Sequence, residues 1–195
     1  MGKQRLNAEK KREKVACSAR RLFVERGFHG VTVPDIVADS GVSTGSIYNY
    51  YGSKVGLAQN LYEESARQFC ELLNERLEHQ VGSYNRLKVV ADLLMNLAVE
   101  DSTFVEFLFL TRHQDFLDNY RPVLANSSNC MLYRIVEEGI VDGELCPGDP
   151  QIKALAYLGV VTNAIQAFLN GLVPSRDGNN LREQVVQCAW SSVCQ

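Results

Sequence analysis

The chain has 195 residues, 46% apolar and 22% charged. This excludes a disordered polymer and leaves enough chain for a core without disulfide or metal staples. Its net charge of −3 excludes a uniformly basic polyanion binder, but the charge is unevenly spread: residues 1–54 carry ten Lys/Arg against five Asp/Glu, and the remainder ten against eighteen. A basic head on an acidic body points to a polyanionic partner at one end.

Taken in chain order, the apolar spacing is helical nearly throughout, and period-two β-branched runs are missing. A first helix is expected from about Ala8 to Arg26, with Val15, Ala19, Leu22 and Phe23 as its stripe and Gly27 as its left-handed stop. Thr32 caps a short second helix with Pro34 and Asp35 in its first turn, ending near Ser40. Gly41-Val42 forms a turn, and Ser43 caps a third helix, Thr44 to Tyr50. Ser53 caps a long fourth helix reaching about Gln80.

Five or six helices follow. Ser83 opens one with Leu87, Val90, Ala91, Leu94 and Leu97 inward, and Asp101-Ser102 opens a very apolar one, Phe104 to His113. Asp118 opens another with Pro122 in its first turn, ending at Gly139. Asp149-Pro150 is a strong start, and Gly171 with Pro174 a strong stop. Ala154 to Val173 carries no charge, but Asn163, Gln166 and Asn170 share one helix face, so it reads as a core or subunit-interface helix and not a membrane span. The last helix, about Leu181 to Val193, is apolar on two sides and is expected to touch its own core and something else.

The informative stretch is Thr32 to Lys54. Helix, glycine turn and short helix form a helix-turn-helix arrangement, in which the second helix presents its first residues to the DNA major groove. Ser43, Thr44 and Ser46 offer short hydroxyls to base edges or phosphates, and Gly45 permits close approach. Tyr48, Asn49 and Tyr50 add phenol and amide groups. Lys54 stands at a helix N-terminus, where charge and dipole both favour phosphate. Lys10, Lys11, Arg12 and Lys14 offer further phosphate contacts beside the reading of a solvated face.

The ordered run from Thr32 through Gly41-Val42-Ser43, Gly45, Ile47-Tyr48, Tyr50-Tyr51 and Ser53-Lys54 to Leu57 resembles the N-terminal signature of TetR/AcrR-family transcriptional regulators, as do Ala19-Arg20-Arg21-Leu22-Phe23 and Gly27-Phe28. The specific likeness spans about residues 11–60; the rest matches in architecture. It implies an all-α fold: a three-helix helix-turn-helix DNA-binding domain over 1–54 and a helical effector-binding and dimerisation domain over 55–195. Thr32 resembles the phosphate-binding cap. Thr44, Gly45, Ser46 and Tyr48 take the DNA-facing positions, and Tyr50 and Lys54 those gripping the backbone. Pro34 stands where some members place a base-reading Arg, which shifts specificity toward the recognition helix and DNA shape.

The resemblance implies a homodimer pairing its last two helices, about 150–172 and 179–194, on a palindromic double-stranded operator. It also implies a small-molecule effector that tilts the fourth helix and releases a repressor. In the body, Phe104, Phe107, Phe116 and Tyr133 are candidate pocket rings, Arg112 and His113 candidate polar anchors, and Asn163 and Gln166 candidates for pocket or partner subunit. Each has a plainer reading as core or cap.

A different class is a thiol-based redox-sensing regulator. Of six cysteines, Cys17 lies near Arg20 and Arg21, while Cys188 and Cys194 point in different directions on one helix. The spacings suit no metal site, and neither a nucleophile–base constellation nor a phosphate loop points to an enzyme or a cofactor. The cysteine usage and the polar N-terminus fit a reduced, cytoplasmic protein away from membranes.

Overall fold

The structure is a computed structural model and describes residues 2–118, 131–173 and 178–194. Among these residues every regular element is helical: α1 (Gly2–Arg26), α2 (Val33–Ser40), α3 (Thr44–Tyr51), α4 (Lys54–Leu77), α5 (Ser83–Glu100), α6 (Ser102–Val105), α7 (Met131–Val141), α8 (Pro150–Leu169) and α9 (Gly178–Cys194). The chain divides into two units, Met1–Ala66 with Glu106–Tyr120, and Arg67–Val105 with Arg121–Gln195. Helix α4 begins in the first and ends in the second.

In the first unit, α1 packs on α2 and α2 on α3. The predicted stripe is the core: Val15, Ala19, Leu22 and Phe23 are buried with Ile36, Val42, Ile47 and Leu57. Each of the Val, Leu, Ile and Phe side chains among them contributes roughly 1.5–3 kcal/mol by leaving water. Helix α1 extends six residues further toward the N-terminus than its apolar stripe indicates. Leu6 is the one large apolar residue among them, too few for periodicity to mark the extension.

The segment expected as one helix from Phe104 to His113 is instead three pieces. Helix α6 passes into a π-helical turn over Glu106–Leu110, and a 3-10 turn follows over His113–Asp115. The cause is a contested carbonyl. Phe107 O accepts the Thr111 hydroxyl at 2.7 Å and His113 Nε2 at 2.7 Å, and the Thr111 N–H turns to Glu106 O at 3.0 Å, one residue further back than an α-helix allows.

In the second unit, α5 packs on α6, α7, α8 and α9, and α8 packs extensively on α9. Tyr157 is buried and donates its hydroxyl to Leu87 O at 2.7 Å. Lys153 is buried too, its ammonium donating to Val193 O at 2.9 Å near the end of α9. By length and composition α8 could cross a membrane, and a third of that stretch is buried within the fold.

Two boundaries differ from expectation. Helix α5 is preceded by Gly82 at φ +81°, and Ser83 is already helical; the Glu144 carboxylate accepts the Ser83 N–H in place of a side-chain cap. Gly139 does not end its helix, which continues to Val141. A Cβ there would lie 2.2 Å from Ser83 Oγ, so this glycine serves close packing rather than a stop. The expected helix opening at Asp118, with Pro122 in its first turn, lies largely outside the described residues.

Candidate nucleic-acid interface

The geometry between Thr32 and Gly52 is built by caps. Thr32 and Asp35 form a reciprocal box: Asp35 N donates to Thr32 Oγ1 at 3.4 Å, and Thr32 N donates to the Asp35 carboxylate at 2.7 Å. The Thr32 hydroxyl also donates to the Asp35 carboxylate, and this bond first, then the one from the Thr32 backbone, holds the Asp35 carboxyl below its usual range. Gly41, at φ +67°, closes α2 through its N–H to Val37 O at 3.0 Å. That left-handed step turns the chain in two residues into α3, which a side chain at this position would strain.

Ser43 caps α3 by accepting Ser46 N–H at 3.4 Å, and its hydroxyl lies 3.1 Å from that of Ser46. These two hydroxyls are therefore partly engaged with each other. Ile47 alone on α3 is fully buried. Burying it turns the other side of the helix outward: Thr44, Gly45, Tyr48 and Asn49 are exposed, and a Cβ on Gly45 would meet nothing.

The flank of this face is basic. Lys10, Lys11, Arg12 and Lys14 are exposed on α1. The Arg12 guanidinium lies 5.0 Å from the centre of the Tyr50 ring, and Tyr51 OH reaches Arg12 O at 3.4 Å. A cation stacked on Tyr50 ties the basic side of α1 to the end of α3. The sequence singled out each of these residues without pairing them. Arg21, by contrast, pairs with Glu25 and Asp39 on another side.

Lys54 is placed otherwise than as a free surface cation. Its ammonium donates to Phe28 O at 2.9 Å and Val31 O at 2.8 Å, and lies 4.2 Å from the centre of the Phe28 ring. Thr32 is exposed.

Three of the candidate effector residues cluster in the first unit. Phe107, His113 and Phe116 are buried in the first unit: the rings of Phe107 and Phe116 stack at 6.2 Å, and Tyr62 lies 4.8 Å from His113. Burial holds His113 below the usual imidazole range, against the opposing bond to Phe107 O. Arg112 is exposed, Tyr133 half-buried on α7, and Asn163 and Gln166 exposed on α8.

Phe104 differs, because it lines a groove of about 370 Å³ in the second unit. With it are Gln68, Glu71, Leu72 and Glu75 of α4, Leu97 of α5, and Asp101. Sequence reasoning missed the other six. One signal was available: Glu71 and Glu75 are four apart and share a helix face. Among the described residues no group of three or more His, Cys, Asp or Glu is arranged to hold a metal ion.

A capped helix-turn-helix with an exposed recognition face and a basic flank, continued by one long helix into an all-helical body, is the architecture of a DNA-binding transcriptional regulator. Residues 18–61 match the sequence profile of bacterial regulatory proteins of the tetR family. Over that segment the chain is similar to the TetR/AcrR family of transcriptional regulators.

It is 24% identical over 156 residues to the fatty acid metabolism regulator protein of Bacillus subtilis, covering 78% of this chain and 80% of that one. Its fold is that of a TetR family transcription regulator from Marinobacter aquaeolei, with a TM-score of 0.82, 19% identity, and coverage of 98% and 99% of the two chains. It is similarly close to the transcriptional regulator FadR from Bacillus subtilis in complex with stearoyl-CoA, with a TM-score of 0.71, 21% identity, and coverage of 93% and 98%.

Proposed function

We propose that the protein is an effector-released repressor that binds a palindromic operator as a homodimer. The DNA-binding domain is residues 1–54, and residues 55–195 bind effector and partner subunit. The observation that carries this reading is the outward face of α3, where Thr44, Gly45, Tyr48 and Asn49 stand clear of the core beside the exposed cations of α1. Thr44, Ser46 and Asn49 read base edges, and Thr32, Ser43, Tyr48 and Tyr50 hold phosphates. Lys54 acts chiefly by holding the α1–α2 loop in place beneath them.

Dimerisation through α8 and α9 is supported by apolar side chains left in water on α8. Ile152 is 64% exposed and Leu155 39%, on the same helix as the exposed amides of Asn163 and Gln166. Two-fold pairing of α8 and α9 into a four-helix bundle covers them. For the effector, the groove at Phe104 lies against α4, the helix that begins at the DNA-binding domain. A ligand that binds better in one state of α4 then changes DNA affinity, and DNA changes ligand affinity equally.

Two of the six cysteines count against the thiol-sensing alternative. Burial pushes the thiols of Cys70 and Cys194 upward, away from the reactive thiolate.

The test is a genomic DNA pull-down with the purified protein, followed by footprinting of the best site with and without reductant. A protected inverted repeat, unchanged by reductant, is the expected result. Protection lost on oxidation favours the thiol reading, and no specific site at low salt overturns the operator reading.

A further inference from the structure

The groove against α4 has an apolar floor of Leu72, Leu97 and Phe104, and a rim bearing Glu71, Glu75 and Asp101. We propose that it binds a lipophilic cation of small-molecule size, its apolar body on Leu72, Leu97 and Phe104 and its positive charge among the three carboxylates. This deepens the effector part of the regulator reading and rests on that reading for its consequence at DNA. The binding itself is tested without DNA.

Two independent sources of negative potential converge there. One is the side chains: Glu71 and Glu75 lie one turn apart on α4, and no lysine or arginine is among the described lining residues. Arg76 follows Glu75 in sequence, but its guanidinium donates to Leu72 O at 3.2 Å and it is not part of the lining. The other source is backbone. Asp101 is the C-cap of α5, its N–H bonded to Leu97 O at 2.8 Å, so the groove opens at the negative end of an eighteen-residue helix. The Asp101 carboxylate is held in place by accepting Phe104 N–H at 2.9 Å.

Size and chemistry fit one kind of occupant. About 370 Å³ is the space of a compact drug-like molecule. An anionic ligand meets three like charges and the wrong end of a dipole. Stearoyl-CoA, bound by the Bacillus subtilis relative, carries several phosphate charges and is unsuited to this rim.

Tetraphenylphosphonium and tetraphenylborate have one shape and opposite charge, so they separate charge from hydrophobicity. Titration calorimetry on the full chain should show the phosphonium binding and the borate at least about tenfold weaker, with the difference shrinking at high salt. The E71Q/E75Q double variant changes only exposed side chains on α4. It should weaken phosphonium binding by about tenfold or more with an unchanged far-ultraviolet circular dichroism spectrum.

Equal affinity for the two ions, indifference to the double substitution, or preference for stearoyl-CoA overturns the proposal. Carboxylate-dependent phosphonium binding that leaves operator affinity unchanged upholds the cation site and counts against the effector-release reading.

Discussion

Lys54 Nζ lies 2.8 Å from the carbonyl oxygen of Val31, so the first residue of α4 is fastened to the last turn before α2. The same ammonium holds Phe28 O at 2.9 Å and sits over the Phe28 ring. One side chain thus fixes where α2 begins, and through the short Gly41 turn where α3 points. Removing it leaves two carbonyls without this donor. Lys54→Ala should cost about 1.5–3 kcal/mol of stability in urea unfolding, the scale of a charged hydrogen bond, and weaken DNA binding through misplacement of α3. Tyr48→Ala removes an exposed ring and should weaken DNA binding with an unchanged urea midpoint. If Lys54→Ala unfolds at the wild-type midpoint, the fastening role fails.

Gly45 gives a sharper separation of fold from function. It lies in the first turn of α3 with nothing where a Cβ would stand. Gly45→Ala should raise stability by up to about 1 kcal/mol through helix propensity, while a methyl group on the proposed DNA-facing side should weaken operator affinity. A variant that binds DNA as well as wild type would place the contact surface elsewhere.

Salt reports how many phosphates are held. If the proposed dimer brings Thr32, Ser43, Tyr48, Tyr50 and the α1 cations of both subunits to the backbone, log affinity should fall steeply and linearly with log salt. Replacing Arg12 with Gln should make the slope shallower by about 1 to 2 per dimer. Fluorescence anisotropy with the footprinted site measures both slopes, and a flat wild-type slope would exclude groove binding.

The buried His113 makes stability depend on pH. Its imidazole is 1% exposed and must donate from Nε2 to the Phe107 carbonyl, so it is folded in as a neutral ring. Its folded pKa lies below the ordinary 6.5. As pH falls through 6.5 the unfolded chain takes the proton first, so stability is present above that value and is lost below it. The loss is at most about 1.4 kcal/mol per pH unit. Asp35 and Asp39, held low chiefly by bonds to Thr32 and Ser18, lose their contribution only below about pH 4, so the two windows separate. Thermal unfolding from pH 7 to 5 should show the decline, and His113→Gln should flatten it; an equal slope in the variant would assign the loss to other groups.

Tyr157 tests the body without touching DNA. Its hydroxyl is buried and donates to Leu87 O, and burial pushes its pKa far above the usual phenol value. Tyr157→Phe keeps the ring and removes the bond, and should cost about 1 kcal/mol with operator affinity unchanged. A loss several times larger would mean that α5 and α8 rearrange.

The DNA-binding unit was legible in the sequence because its signals are local. Thr32, Gly41 and Ser43 are caps and turns whose meaning is fixed by the few residues around them, and each takes the predicted role. The stripe of Val15, Ala19, Leu22 and Phe23 needed only the helical period. Legibility failed where a residue's role is set by a distant neighbour. Lys54 reads as a helix-terminal cation until the carbonyls of Phe28 and Val31 are brought to it. Gly139 reads as a stop until Ser83 packs against it.

The segment after α6 and the groove beside it show the same division. Periodicity makes Phe104 to His113 one helix, because it records which residues are apolar and not which donors compete for the Phe107 carbonyl. Glu71, Glu75, Leu97 and Asp101 are ordinary surface and helix residues along the chain, and only the packing of α4, α5 and α6 makes them walls of one groove. The sequence by itself determined most of the helices and the caps of the helix-turn-helix, since backbone propensity and capping act over about one helical turn. The tertiary structure alone decided which polar groups are spent inside the fold and which are left to meet a ligand, because burial and electrostatic potential depend on everything that packs around a residue.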